Sequence, residues 1–307
     1  MSGQFIAHVV LVDNVVAVHA VHIDVDSRSF KLFLRHLARL NFLDAVHIEV
    51  CDAFAFCFEA LGADKFFSVD YERLAEFVGT AVLMVFGNGA VANAELKNTK
   101  GYHAGWLNIA MGYGFGVMFP VLMFGGVSGA HINPAMTLAQ AINGMFPWGQ
   151  VLPYIIAQLL GAVVGQLIVY ITYWPHYKDT EDANAILGTF CTTDAHNDRV
   201  NYFVNEFFGT LMLVLGALCC LEMPWGKEDH AAAAIVVGFI VWGLVTSMGG
   251  PTGPGLNPAR DLMPRLLHAI LPIPHKGSSR WGEAWIPVVA PIVGAIVGAF
   301  LFKSLFA

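Results

Sequence analysis

The sequence predicts an all-α membrane protein of six transmembrane helices plus two re-entrant half-helices in an inverted repeat. Three observations carry that expectation. The 307 residues are 56% hydrophobic and 13% charged, with a mean hydropathy of +0.61, far more apolar than a soluble domain of this length requires. Long runs without a charged residue recur along the chain. The tripeptide Asn-Pro-Ala occurs twice, at 133–135 and 257–259, each time after a glycine-rich approach and before an apolar stretch too short to cross a bilayer.

The spans come first. Charge-free runs occupy 106–124, 151–174, 231–248 and 286–302, with a less clean run at 77–94 and a shorter one at 207–221. About 20 apolar residues cross a hydrocarbon core of roughly 30 Å, so these are six expected spans. The net charge of −7 has no basic cluster, which argues against nucleic acid as a partner. The five cysteines, Cys51, Cys57, Cys191, Cys219 and Cys220, match no zinc or redox spacing and cannot all pair. No metal site, no cofactor and no catalytic set is expected.

Residues 1–70 are of another kind. They hold five of the twelve histidines, a valine-rich stretch and scattered charges, with no run long enough to span and no basic segment leading into an apolar one as in a secretory signal. They show neither helical periodicity nor recognisable turn punctuation. Three readings stand: a small cytosolic appendage, a disordered tail, or sequence upstream of the true start. The membrane-spanning part is expected over 71–307, with a first repeat at 71–175 and a second at 200–307.

The repeat rests on three matches in the same order. Glu76-Phe77-Val78-Gly79-Thr80 in the first span returns as Glu206-Phe207-Phe208-Gly209-Thr210 in the fourth. The third span's segment 157–165 returns as 290–298 in the sixth, and the tripeptides complete the set. Three spans per half bring the second half in from the opposite side of the membrane, giving a two-fold axis in the membrane plane. The stretches 134–143 and 258–271 would each cover half the membrane and meet N-terminus to N-terminus at the midplane.

The residue types suit that place. Pro134 and Pro258 fit the first helical position, where a missing N–H costs nothing. Asn133 and Asn257 precede them as N-caps, which would leave each amide NH2 free to donate into the space between. Ala135 and Ala259 permit close contact of the two ends. The approaches 126–132 and 250–256 are expected to be extended, with glycines at 126, 129, 250, 253 and 255 supplying unusual φ values. Nonhelical backbone at that depth is tolerated in protein or along a water-filled cavity, so their carbonyls should line a pore, with Gly129, Ala130, Gly253 and Gly255 among the lining positions. His131 reads either as a lining group or as a packed histidine.

Two charged types complete the set. Glu76 and Glu206 sit at matching depths, where an ionisable group implies a function and a partner. Each is expected to brace a re-entrant approach by accepting its backbone N–H groups; the alternative is a carboxylate at headgroup level. Arg260 directly follows the second tripeptide, and a charge one turn from the midplane costs about 2.5–3.5 kcal/mol on insertion scales. It should face the pore and offer its fork of donors, unless it snorkels to the surface. The pairs Gly161/Gly165 and Gly294/Gly298 read as close helix packing.

With these residues in place, residues 71–307 resemble the aquaporin and glycerol-facilitator family of major intrinsic proteins, and Asp261 after Arg260 resembles its glycerol-facilitator branch. The resemblance implies a homotetramer with one pore per subunit and a second constriction at four positions: Tyr113, Val245, Pro254 and Arg260. Water-selective members have Phe and His at the first two, and typical glycerol facilitators have Trp, Gly and Phe at the first three. This chain has neither set. It should therefore be a passive, multi-pass channel in the bacterial cell membrane for glycerol, water and other small neutral molecules such as undissociated lactic acid. A water-selective aquaporin is the alternative, and a secondary transporter a more distant one.

Overall fold

The computed structural model describes residues 9–12, 15–18, 70–253 and 255–306. The chain divides into two units, residues 1–68 and 69–307. In the first, strands β1 (Val9–Val12) and β2 (Val15–Val18) pair antiparallel, Val9 opposite Val18 and Val12 opposite Val15. The residues that join these strands, on which the expected lack of turn punctuation bears, lie outside those described. The remaining readings of residues 1–70 fall on residues outside those described.

The second unit is helical, and six of its helices are long and apolar enough to cross a membrane. They are α1 (Tyr71–Glu95), α2 (Trp106–Ser128), α4 (Trp148–Thr172), α7 (Arg199–Glu222), α9 (His230–Thr252) and α11 (Ile286–Phe306). Between them lie the half-length helices α3 (Pro134–Ile142) and α10 (Pro258–Ile270). Short helices α5 (Trp174–Asp179), α6 (Ala183–Gly188) and α8 (Pro224–Glu228) fill the connections. The fourth span is much longer than its apolar run because Asp198 caps it, accepting from the N–H groups of Val200 and Asn201; the polar first turns hide it from a hydropathy reading. Asp70 caps α1 in the same way, through Glu72 and Arg73.

The helices pack as two copies of one pattern. α1 lies against α2 and α4, and its counterpart α7 lies against α9 and α11; α2 and α9 meet across the two-fold axis. Each half-helix reaches over to the other half, α3 packing on α11 and α10 on α4. The close contacts run through glycine: a Cβ on Gly161 would sit 2.2 Å from the Phe77 carbonyl, and one on Gly294 would sit 2.2 Å from that of Phe207. Outside, every span presents large apolar side chains, among them Leu74, Leu107, Leu152, Phe208, Phe239 and Phe300. That surface suits lipid, where the backbone must satisfy itself within each helix.

The approaches are shorter than expected. α2 continues through Gly126 to Ser128 and α9 through Gly250 to Thr252, because a glycine weakens a helix without ending it. The stop comes at Gly129 and Gly253, both left-handed, with φ of 81° and 68°. Each caps its helix, the Gly129 N–H on the Gly125 carbonyl and the Gly253 N–H on that of Gly249. Among the described residues of the two approaches, nonhelical backbone is therefore confined to 129–133, 253 and 255–257.

Candidate functional site

Each approach is strained and is held by one carboxylate. Ala130, Ile132 and Leu256 have φ of 45°, 44° and 50°, a region costly for side-chain-bearing residues and most so for β-branched isoleucine. This conformation turns successive N–H groups to one side, a small anion-binding nest. Glu76, with no exposed surface, fills the first: Oε1 accepts from His131 N–H at 2.8 Å and Ser128 Oγ at 2.7 Å, and Oε2 accepts from Ile132 N–H and Gln158 Nε2, each at 2.7 Å. Glu206, equally buried, fills the second by accepting from Gly255 N–H at 2.9 Å, Leu256 N–H at 2.8 Å and Thr252 Oγ1 at 3.0 Å. The hydroxyls of Ser128 and Thr252 hold equivalent places, which aligning the two halves at the tripeptide offset of 124 would have shown.

The half-helices open where the approaches end. Pro134 and Pro258 occupy the first positions of α3 and α10. Asn133 Oδ1 accepts from Ala135 N–H at 2.9 Å, and Asn257 Oδ1 accepts from Ala259 and Arg260 N–H at 3.0 and 3.3 Å. The amide NH2 groups are not both wholly free. Asn133 Nδ2 donates to the Leu256 carbonyl at 2.8 Å and Asn257 Nδ2 to the Ile132 carbonyl at 2.7 Å. Without these reciprocal bonds two buried carbonyls would lack partners, and each asparagine keeps one amide hydrogen for the cavity it lines. Ala135 and Ala259 have no exposed surface. Among the described residues no group donates to the carbonyls of Gly129, Ala130, His131, Gly253 or Gly255.

Two cavities adjoin these residues. One of about 70 Å³ is lined by Asn133, Asn257, Gly129, Ala130, His131 and Gly255, together with apolar side chains from Leu83 to Val241. The other, of about 430 Å³, has Gly253, Trp106, Glu95 and Asp182 in its wall. Among the described residues three line both: Tyr113, Val245 and Arg260. Pro254, the fourth position assigned to the constriction, lies outside the described residues. His131 is both lining and packed: its Nδ1 is 3.1 Å from Thr137 Oγ1 and its ring meets Phe146 and Tyr154.

Arg260 is 3% exposed and stays within the protein rather than reaching the surface. One terminal nitrogen donates to the Phe190 carbonyl at 3.2 Å, the other to the Tyr113 hydroxyl, and Nε has no protein partner. Its guanidinium carbon is 5.0 Å from the Tyr113 ring centroid. Tyr113 is thus more than part of an apolar wall opposite the arginine, because a buried hydroxyl needs partners and finds one in Arg260 itself. The segment carrying Phe190 is pinned beside it. Asp261 Oδ2 accepts from Thr192 N–H and Oγ1, each at 2.7 Å, and its Oδ1 accepts from Arg265 Nε at 2.8 Å in an ion pair with no exposed surface. Burial pushes the neighbouring Cys191 thiol up to about 12, so it adds no charge to the cavity wall.

Several residues here were not legible as site residues. Phe190 and Thr192 lie in a connection without a motif. Asn88, Gln158 and Gln166 are amides inside apolar spans, and only their polarity in such a setting could have marked them. Among the described residues no group of three His, Cys, Asp or Glu side chains is placed to hold a metal ion.

Residues 66–302 match the family model for the major intrinsic proteins. The chain is 52% identical over 238 residues to a glycerol uptake facilitator protein-like 5 of Lactiplantibacillus plantarum, covering 76% of this chain and 95% of that one. It is 47% identical over 233 residues to a probable glycerol uptake facilitator of Thermotoga maritima, covering 76% and 98%. The solved structure of the aquaglyceroporin from Plasmodium falciparum is similar with a TM-score of 0.70 at 32% identity, over 77% of this chain and 96% of that one. Six helices fit to cross a membrane, two half-helices whose capping asparagines each donate to the opposite approach, and these matches together make the chain a member of the major intrinsic protein family.

Proposed function

We propose that this protein is a passive channel for glycerol and water, passing other small neutral molecules, undissociated lactic acid among them. The observation that carries this reading is that Tyr113, Val245 and Arg260 line both cavities. Arg260 there has terminal hydrogens that the Phe190 carbonyl and the Tyr113 hydroxyl do not take up, while the Tyr113 ring and Val245 present carbon. A molecule with a hydroxyl-bearing edge and a carbon-bearing edge matches both sides. In this reading the four-residue constriction, completed by Pro254, selects the solute, the two Asn-Pro-Ala segments hold the midplane, and Glu76 and Glu206 brace the approaches.

The names of the similar proteins, glycerol facilitators from several bacteria, agree with a glycerol-passing channel in a bacterial plasma membrane. A water-selective pore is disfavoured by Val245, which supplies no narrowing donor. A secondary transporter would need a titrating carboxylate in the cavity beside the asparagines, whose lining holds none among the described residues, and both buried glutamates are already engaged by several donors. The family assembly we propose is a homotetramer, which native mass spectrometry of the detergent-extracted protein would read directly.

The function is tested by stopped-flow light scattering on proteoliposomes. Glycerol and water should both equilibrate faster than in empty vesicles, without dependence on a sodium or proton gradient. Val245→His should cut glycerol and lactic acid flux far more than water flux. Equal loss of all three overturns the assignment of the constriction.

A further inference from the structure

Two buried amides beside the constriction touch neither cavity yet hold its arginine in place. Asn88 of α1 has no exposed surface and uses its carboxamide in opposite senses. Oδ1 accepts from the Tyr113 hydroxyl, while Nδ2 donates to the Phe190 carbonyl at 3.2 Å and to Gln166 Oε1. Tyr113 Oη and the Phe190 carbonyl are the two atoms on which Arg260 rests its terminal nitrogens. Gln166 of α4, also fully buried, donates onward from Nε2 to the Thr189 carbonyl at 3.2 Å. Neither amide lines the cavities on either side of Arg260.

We propose that Asn88, backed by Gln166, is a positioning residue that sets discrimination between glycerol and water by fixing both acceptors of Arg260. The proposal rests on the reading of Tyr113, Val245 and Arg260 as the constriction. A carboxamide supplies an acceptor and two donors without charge, which is what these three neighbours require. Because the Tyr113 hydrogen is committed to Asn88 and its oxygen to Arg260, the tyrosine shows a permeant its ring and not its hydroxyl. With leucine at position 88, that hydrogen turns to the next acceptor within reach, water or solute in the pore. The Phe190 carbonyl also loses one of its two donors. The apolar side of the constriction then becomes wet and the arginine loses its fixed frame, both of which favour water over glycerol.

The experiment measures the ratio of glycerol to water permeability in proteoliposomes. That ratio cancels the number of active channels, so a variant that folds in lower yield loses both fluxes and leaves the ratio alone. Asn88→Leu should lower the ratio by about threefold or more, the scale of one net hydrogen bond. Tyr113→Phe should shift it as well, and the two changes together should move it no further than the larger single change, because they break one linkage. An unchanged ratio in Asn88→Leu alongside a shifted one in Tyr113→Ala overturns the positioning role and leaves the constriction standing. No shift in Tyr113→Ala overturns the constriction and this proposal with it, and additive single effects overturn the linkage. If Asn88→Leu yields no active protein, Gln166→Leu carries the test: it must lower the ratio, and an unchanged value overturns the proposal.

Discussion

At Glu206 a single carboxylate accepts from three donors, two of them backbone N–H groups of an approach that holds Leu256 at positive φ. Replacing it by glutamine keeps the shape but turns an NH2 group toward at least one of these donors. A buried donor left without an acceptor costs about 1–3 kcal/mol, so Glu206→Gln should lower the thermal unfolding midpoint in detergent by several degrees and reduce flux. An unchanged midpoint would mean that the approach does not need its brace. Asp261 makes a sharper case. Asp261→Ala strands Arg265, a guanidinium with no exposed surface, and breaking a buried pair from one side costs about 3–5 kcal/mol. Loss of folded protein is expected, and Asp261→Ala/Arg265→Met should recover part of it. At this scale the sequence is legible where the chemistry is loud. A carboxylate or guanidinium inside an apolar run announces a partner, whereas Asn88 and Gln166 barely disturb hydropathy and carry no motif. Arg265 stands five residues beyond the second tripeptide's arginine without a repeat counterpart, since the equivalent of Asp261 in the first half is Thr137.

Among the elements, the glycine pairs of α4 and α11 determine how close the first and third spans of each half can come. A Cβ on Gly161 would lie 2.2 Å from the Phe77 carbonyl, a distance at which backbone must move. Gly149 lies on the same helix with nothing within 4 Å of its would-be Cβ. Gly161→Ala should therefore destabilise the protein clearly, while Gly149→Ala should be neutral or gain up to about 1 kcal/mol from helix propensity. Unfolding midpoints of the two variants, taken side by side in one detergent, check the contrast, and equal behaviour would show that α1 and α4 can separate without cost. The spacing of these glycines was readable because it occurs twice at one offset. The ends of the approaches were not, because Gly126 and Gly250 look like chain breaks in the sequence. In the fold Gly126 and Gly250 stay helical, and the helices end at Gly129 and Gly253. Nor did the pattern say that α3 would pack on α11 and α10 on α4; that exchange follows from the two-fold axis and has no local signal.

For the whole molecule, the inverted repeat was visible because three matches keep the same order, and its electrostatic consequence appears only when the halves are assembled. The N-termini of α3 and α10 come together where Asn133 and Asn257 exchange bonds with the opposite approaches, and each helix end carries roughly +0.5 of an elementary charge. Cations meet this field at the asparagines, where Glu76 and Glu206 are engaged behind the approaches and, among the described residues, the cavity wall holds no carboxylate. A water oxygen at the asparagines accepts from them and must point its hydrogens away on both sides, which interrupts a proton wire, the kind of barrier expected of such pores. An anion faces a different obstacle. Lactate is attracted by Arg260, but it would have to shed its hydration along a cavity whose wall is mostly carbon, and an unpaired charge out of water is costly. Both arguments lead to one measurement. In proteoliposomes that pass water rapidly, an imposed pH gradient should persist as long as in empty vesicles when no weak acid is present. On adding lactic acid at a series of external pH values, the rate of internal acidification should follow the concentration of the neutral acid. Fast collapse of the gradient without lactic acid would refute the midplane barrier, and lactate uptake that persists where almost none is protonated would refute the exclusion of the anion.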